Sequence, residues 1–337
     1  MFFSKKKFLK NGLSLIISIF FSLIIVELFL RLLGFQPWIY ENTTDNISMF
    51  KYDEHLGWIS KKGAYHLELE NNYGIKFNVT IEGDGSRFSG NKDEKKENIF
   101  FIGGSFTQGH GVNDDETFSF ITQQKYKNFN VYNFGQSGYG GFQSLLLLKK
   151  KINKTNLTKL IIYGYIEHHE YRNVARKDWL ETLSKNTNNK NLEIMLPYAT
   201  LDKKNNLTYN KPTSYSKFLL KEKFAFINLI ENVYMKQSDR QRKRIQTKVN
   251  EKIFIELNNL AKENKSNLLI MGLHFSNLNT EKKYNKFFSE NNINYLNCNL
   301  EENSEFFFSN NFHPNKSGHK VYSQCLLNYI EKNKLLF

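Results

Sequence analysis

The strongest chemical signal in the chain is a serine that follows two glycines at the end of an apolar run, Phe101-Ile102-Gly103-Gly104-Ser105-Phe106-Thr107-Gln108-Gly109. Glycines permit the tight turn that joins a buried strand to a helix. Such a turn can present a hydroxyl at the carboxyl edge of a sheet, where open α/β sheets place their sites. It also aims the Ser105 N–H at a developing oxyanion. The bland alternative is a glycine-rich βα turn without chemistry. A phosphate loop is excluded, because no Gly-Lys-Ser/Thr ending follows.

A second signal lies near the end, in Asn310-Asn311-Phe312-His313-Pro314-Asn315-Lys316-Ser317-Gly318-His319. His313 precedes a proline at a loop-to-helix junction. A histidine held there can take a proton from a serine hydroxyl; the alternative is a surface histidine in a turn. His168 and His169 stand between Glu167 and Glu170, a grouping that raises a metal site. No further ligand cluster accompanies it, so neither a metal nor an organic cofactor is expected.

The elements that must position these residues are legible as runs. Asn98–Ile102, Val131–Phe134, Leu160–Tyr165, Asn267–Gly272 and Ile293–Leu296 are short and continuously apolar, the pattern of strands buried on both faces of a parallel sheet. Helical segments alternate with them: Phe118–Tyr126, preceded by Asn113 and Glu116 at capping-box spacing, Phe142–Lys151, at least two long helices in 214–260, and Ser317–Lys334. This alternation predicts a doubly wound α/β fold. Residues 35–97 read as a linker and a small β-rich segment, with Tyr65–Leu69 and Ile75–Ile81 as alternating strands. Residues 174–213, rich in Asn and Lys, read as largely loop.

The two sites and the strand pattern together resemble the SGNH/GDSL hydrolase superfamily over residues 98–333. Gly103–Gly109 matches the Gly-x-Ser-x-Thr-x-Gly form of the first block and gives Ser105 the nucleophile position. Asn133-Phe134-Gly135-Gln136-Ser137-Gly138-Tyr139-Gly140 matches the second block, with the Gly138 N–H as oxyanion donor. His313 matches the histidine of the last block. Two departures stand out. The third block's oxyanion Asn is replaced, by position, by His169, with Asn173 as the alternative if the loop curls back. The Asp expected three residues before the histidine is Asn310, with Asn311 two before. A Ser–His dyad, oriented by Asn310 or a backbone carbonyl, is the implied mechanism. The resemblance implies a flavodoxin-like α/β/α sandwich, and hydrolysis or transfer of ester-linked acyl groups, often on carbohydrate. Residues 98–337 would form this domain. The rival reading is a catalytically weak domain of the same shape that binds a glycan or envelope partner.

Residues 1–11 hold four lysines, and an apolar run follows over 12–33, interrupted by Glu27 and Arg31. Its length suits a bilayer crossing. The preceding lysines predict a cytoplasmic N-terminus and an extracytoplasmic catalytic domain. A cleaved signal peptide is the competing reading, although no small-x-small site follows the run. The partners expected are therefore a membrane, through this helix, and an acylated carbohydrate or other ester. The net charge of +14 comes from scattered basic residues without a nucleic-acid motif, so nucleic acid is not an expected partner. Cys298 and Cys325 are left either paired or as two buried thiols.

Overall fold

The structure is a computed structural model that describes residues 2–39, 49–69, 74–154, 157–186 and 194–336. In chain order it begins with helix α1 (Phe2–Leu32) and two antiparallel hairpins, β1 (Phe50–Asp53) with β2 (Gly57–Ser60) and β3 (Gly63–Glu68) with β4 (Lys76–Ile81). There follow β5 (Glu97–Gly103), the single turn α2 (Ser105–Gln108), α3 (Phe118–Lys125), β6 (Phe129–Asn133), α4 (Gly141–Lys151), β7 (Thr158–Ile166), α5 (His169–Asn173) and α6 (Lys177–Asn186). The hairpin β8 (Leu196–Leu201) and β9 (Leu207–Thr213) leads into α7 (Ala225–Ser238), α8 (Arg240–Glu263), β10 (Asn267–His274), α9 (Leu278–Glu290) and β11 (Asn294–Asn297). The short pair β12 (Phe307–Phe308) and β13 (Asn311–Pro314) precedes α10 (Lys316–Asn333).

Five strands form the central sheet in the order β11-β10-β7-β5-β6, all parallel. Renumbered along the chain this is 2-1-3-4-5, the flavodoxin-like doubly wound order. The expected fold class is therefore the observed one, and all five expected strands are present. The order reverses between β5 and β7, and that switch point is where such sheets open a crevice at their carboxyl ends. The central strands are buried along most of their length: β7 carries Leu160, Ile161, Ile162, Tyr163 and Tyr165 without exposed surface. Their alternate side chains feed two cores. One holds Phe100, Tyr163, Tyr165, Ile253 and Phe254 beneath α4 and α8; the other holds Ile99, Phe101, Phe118, Ile162 and Tyr322 beneath α3 and α10.

Two local expectations need correction, and one helix went unread. Asn113 and Glu116 do form a capping box, but it closes the 3-10 turn Asp114–Glu116. The following helix α3 is capped by Thr117, whose hydroxyl accepts from the Phe120 N–H at 3.2 Å. The segment 174–213 is not mainly loop: its described residues form α6 and the β8–β9 hairpin. The polar tip of that hairpin hid it, since Asp202 folds the turn by accepting from the N–H groups of Lys204 and Asn206; residues 187–193 of the segment lie outside the described residues. The helix α9 carried too few apolar residues to be read from its sequence.

The N-terminal hairpins are integral to what lies beneath them. Leu56 and Trp58 join the same core as the sheet. Ser60 Oγ donates to Gln136 Oε1 at 2.7 Å, and Ser137 Oγ donates to Gln108 Oε1 at 2.5 Å. This chain of side chains ties β2, the loop after β6 and α2 together. Cys298 and Cys325 are joined as a disulfide, Cα to Cα 6.1 Å, which links the chain leaving β11 to α10.

Candidate active site

The strand β5 delivers Ser105 to the first position of α2, at the carboxyl end of the sheet. The N–H of a first-turn residue has no intrahelical acceptor, so that of Ser105 is free for another oxygen. Ser105 is 7% exposed and so largely buried. His313 reaches it from β13: His313 Nε2 lies 2.8 Å from Ser105 Oγ.

The other ring nitrogen identifies the orienting group. His313 Nδ1 is hydrogen-bonded to Asn311 Oδ1. Because that oxygen can only accept, Nδ1 carries the proton and Nε2 is left to accept from the serine. Asn310, the residue expected from the sequence, does not hold this place. The reason is strand geometry: β13 pairs with β12, residues two apart share a face, and Asn311 and His313 therefore point the same way while Asn310 precedes the strand. Burial, followed by the neighbouring His110 and Arg172, keeps the His313 imidazole well below its usual pKa. The imidazole is thus neutral and able to accept a proton.

His169 opens α5, after β7, and is fully buried. Its Nδ1 lies 2.6 Å from the Tyr163 hydroxyl. Burial drives the Tyr163 phenol well above its normal pKa, so it keeps its proton. No other acceptor meets that hydroxyl among the described residues, so Tyr163 donates to Nδ1 and the His169 proton resides on Nε2. That Nε2 is buried without a partner among the described residues. It points at the nucleophile turn: a Cβ placed on Gly104 would stand 2.8 Å from it, so only glycine fits there. Burial and Arg172 hold His169 far below the normal imidazole pKa, leaving it a neutral donor.

The loop after β6 forms the other wall. Gly138 has φ +83, the left-handed region that glycine favours, and a side chain there would press on Trp58 at 3.0 Å. The Gly138 N–H makes no hydrogen bond among the described residues. The loop is pinned on both sides of it. Trp58 Nε1 donates to the Ser137 carbonyl at 3.0 Å, and the Tyr139 hydroxyl donates to the Trp58 carbonyl.

Asn173 is near in sequence but is committed elsewhere. Its Oδ1 accepts from the Phe142 N–H at 2.8 Å and its Nδ2 donates to Asn250 at 2.8 Å. It serves the first turn of α4, whose preceding residue, Gly140, has no side chain to do so. Of the two candidates for the third donor, the structure therefore leaves His169 free and Asn173 occupied. The adjacent histidines do not converge on one point: His169 meets Tyr163, whereas the His168 ring lies toward Tyr171 and His274.

Arg172 was not singled out from the sequence, where nothing in the residues around it marks it. It is 8% exposed, donates from Nη1 to the Tyr139 carbonyl at 3.0 Å and stacks over Trp179 at 4.4 Å. Its Nε is buried without a partner, and no carboxylate pairs with it among the described residues. Nη1 stands 3.5 Å from the place a Gly104 Cβ would take. A fixed, uncompensated positive charge therefore backs the turn that carries Ser105. A second buried arginine, Arg87, supports that turn from beneath. It donates to Asp114 at 2.8 Å and to the carbonyls of Gln108, Gly109 and Val112 at 3.0, 2.5 and 2.7 Å.

No protein-family model and no curated protein sequence matches the chain. Solved structures similar to it include several G-D-S-L or SGNH hydrolases and esterases. TesA is 8% identical at a TM-score of 0.41, with 70% of this chain and 99% of that one covered. A member of the lipolytic protein G-D-S-L family from Veillonella parvula is 12% identical at 0.38, with 69% and 97% covered. The psychrotrophic esterase EstA from Pseudoalteromonas sp. is 10% identical at 0.39, with 70% and 98% covered. At such identities the chemistry must be read from the residues of this chain. A serine hydrogen-bonded to a neutral, oriented imidazole, facing unpaired donors, can perform nucleophilic acyl transfer.

Proposed function

We propose that this protein is a serine esterase or acyltransferase of the SGNH type, acting outside the cytoplasmic membrane on ester-linked acyl groups. The observation that carries the reading is the 2.8 Å contact between His313 Nε2 and Ser105 Oγ at the switch point of the sheet. Ser105 Oγ attacks the acyl carbonyl carbon while its proton passes to His313 Nε2. The N–H groups of Ser105 and Gly138, with His169 Nε2–H, receive the oxyanion, and Arg172 adds positive charge behind them. As the tetrahedral intermediate collapses, the His313 proton leaves on the alcohol oxygen and the acyl group stays on Ser105. Water or an acceptor hydroxyl, deprotonated in turn by His313, releases it. Asn311 fixes the imidazole but contributes no negative charge to the imidazolium, so turnover is slower than a carboxylate would give.

Three features support the location. An apolar helix of 22 residues, Asn11–Leu32, is long enough to cross a bilayer, lysines precede it, and the chain carries a disulfide, which suits an oxidising compartment. An anchored, outward-facing site suits O-acyl groups, O-acetyl among them, on a cell-envelope polysaccharide.

The test is fluorophosphonate labelling of the full chain in detergent, beside Ser105→Ala and His313→Ala. Labelling lost in both variants is expected. A folded wild-type chain that takes no label would overturn the enzyme reading and leave a glycan-binding domain in its place.

A further inference from the structure

The end of α1 is locked into the folded domain by a carboxylate. Glu27 is 9% exposed and accepts from the N–H groups of Ala225 and Phe226 at 3.0 and 3.1 Å, the first two residues of α7. Arg31 completes the clasp: Nε donates to Glu27 at 2.6 Å and Nη2 to the Lys223 carbonyl at 3.0 Å. Glu27 stands five residues before the end of the helix, which is about 8 Å at 1.5 Å per residue. Whatever surrounds the last turns of α1 must therefore also surround the first turn of α7 and the loop before it.

That loop bares two leucines beside an exposed Lys217–Glu222 ion pair. Leu219 is 89% exposed and Leu220 52%. Leu220 adopts φ +64, an unfavourable state for a leucine. The loop is nonetheless held from behind. Lys221 is buried, with Nζ 2.9 Å from Glu231 and 3.1 Å from Glu181. On α7, Ile230, Val233 and Tyr234 are all more than half exposed, and their spacing places them on one helix face. The Phe218 ring lies 5.6 Å from that of Tyr234, which joins loop and helix into one surface. Exposed apolar side chains grouped in this way mark a contact surface.

We propose that this patch is immersed in the outer leaflet and is covered by lipid acyl chains. The catalytic domain would then lie on the bilayer and not swing freely from its anchor. The inference rests on α1 crossing the membrane. The occupant follows from continuity: Glu27 and Arg31 hold the loop and the start of α7 alongside the final turns of a helix whose own bare face is apolar. Interfacial helices of peripheral enzymes bury their apolar faces in the same zone.

The test places a nitroxide at Leu219→Cys, Ile230→Cys or Phe20→Cys in the full chain. Each labelled chain is reconstituted into phosphatidylcholine–phosphatidylglycerol vesicles. Collision with oxygen is then compared with collision with a water-soluble nickel chelate. Positions 219 and 230 are exposed, so labelling leaves the core intact. At both, oxygen collisions are expected to dominate and chelate collisions to be lost, as at position 20. A water-like signal at 219 or 230 with a lipid-like one at 20 overturns the docking surface and keeps the anchor. A water-like signal at position 20 overturns the anchor and the docking surface with it.

Discussion

The Tyr163 hydroxyl and His169 Nδ1 lie 2.6 Å apart beneath the turn that carries Ser105, and a tyrosine that donates there keeps the His169 proton on Nε2. Tyr163→Phe removes the donor and lets the proton move to Nδ1, where it cannot reach an oxyanion. His169→Ala removes the donor outright and is expected to lower kcat by about 10²–10³ with KM little changed, the usual cost of one oxyanion donor. Tyr163→Phe should lower kcat by less. Steady-state kinetics on a chromogenic acyl ester measures both. Equal kcat for Tyr163→Phe and wild type would mean that Tyr163 does not set the tautomer.

A second prediction concerns pH. His313 must be unprotonated to act, and its pKa is depressed by burial, then by the neighbouring His110 imidazole and the Arg172 charge. The acid limb of kcat/KM is therefore expected below pH 6.5, with activity lost only as the pH falls through the depressed value. Asn311→Asp places a negative charge on Nδ1–H, raises the His313 pKa and moves that limb upward. The same change is expected to raise kcat by roughly tenfold, because the imidazolium gains a carboxylate partner. Asn310→Ala should change neither. A pH–rate profile of the three proteins decides the matter.

Arg172 offers a separate handle. Removing it as Arg172→Gln is expected to cost kcat about 10–100-fold on a neutral ester, since a charge near the oxyanion is lost. A merely structural arginine would not also shift the acid limb. Arg172 is one of the charges that lower the His313 pKa, so its loss should move the limb to higher pH.

Stability should fall in acid for a related reason. His319 is fully buried against Phe118, and burial followed by the charge of Arg87 lowers its pKa to about 3. In the unfolded chain it takes a proton near pH 6.5. Between those values the unfolded state binds the extra proton, so the stabilisation is complete above pH 6.5 and is lost progressively as the pH falls toward 3. Thermal melts from pH 7 to 4 are expected to show a falling Tm, with a shallower slope in His319→Gln.

The disulfide gives a fifth expectation. Replacing both cysteines by serine should cost about 2–4 kcal/mol, typical of a native bridge. Cys298 and Cys325 bracket the segment that carries Asn311 and His313. Fluorophosphonate labelling should therefore decline at a lower temperature in the variant than in wild type.

The sheet was legible because a strand buried on both faces must be apolar throughout, and Leu160–Tyr165 and Asn267–Gly272 have no other reading. Ser105 and His313 were legible because each sits at a junction whose turn residues are visible in the sequence. The orienting residue was not. Choosing between Asn310 and Asn311 requires knowing where β13 begins, and that depends on its pairing with Phe307 and Phe308. Asn173 was set aside by a contact with Phe142, 31 residues earlier, which no local pattern reveals. Arg172 left no trace either, because a lone arginine in a sequence this basic does not announce that it is buried without a counter-charge.

Ser105 and His313 are 208 residues apart, and β13 is the last strand in chain order among the described residues. A chain synthesised and moved from its N-terminus carries its serine for most of its emergence with no base to activate it. The apolar helix, the five sheet strands and the loops that carry Gly138 and His169 all precede the imidazole in the chain. A copy that ends before β13 therefore holds Ser105 without its imidazole partner.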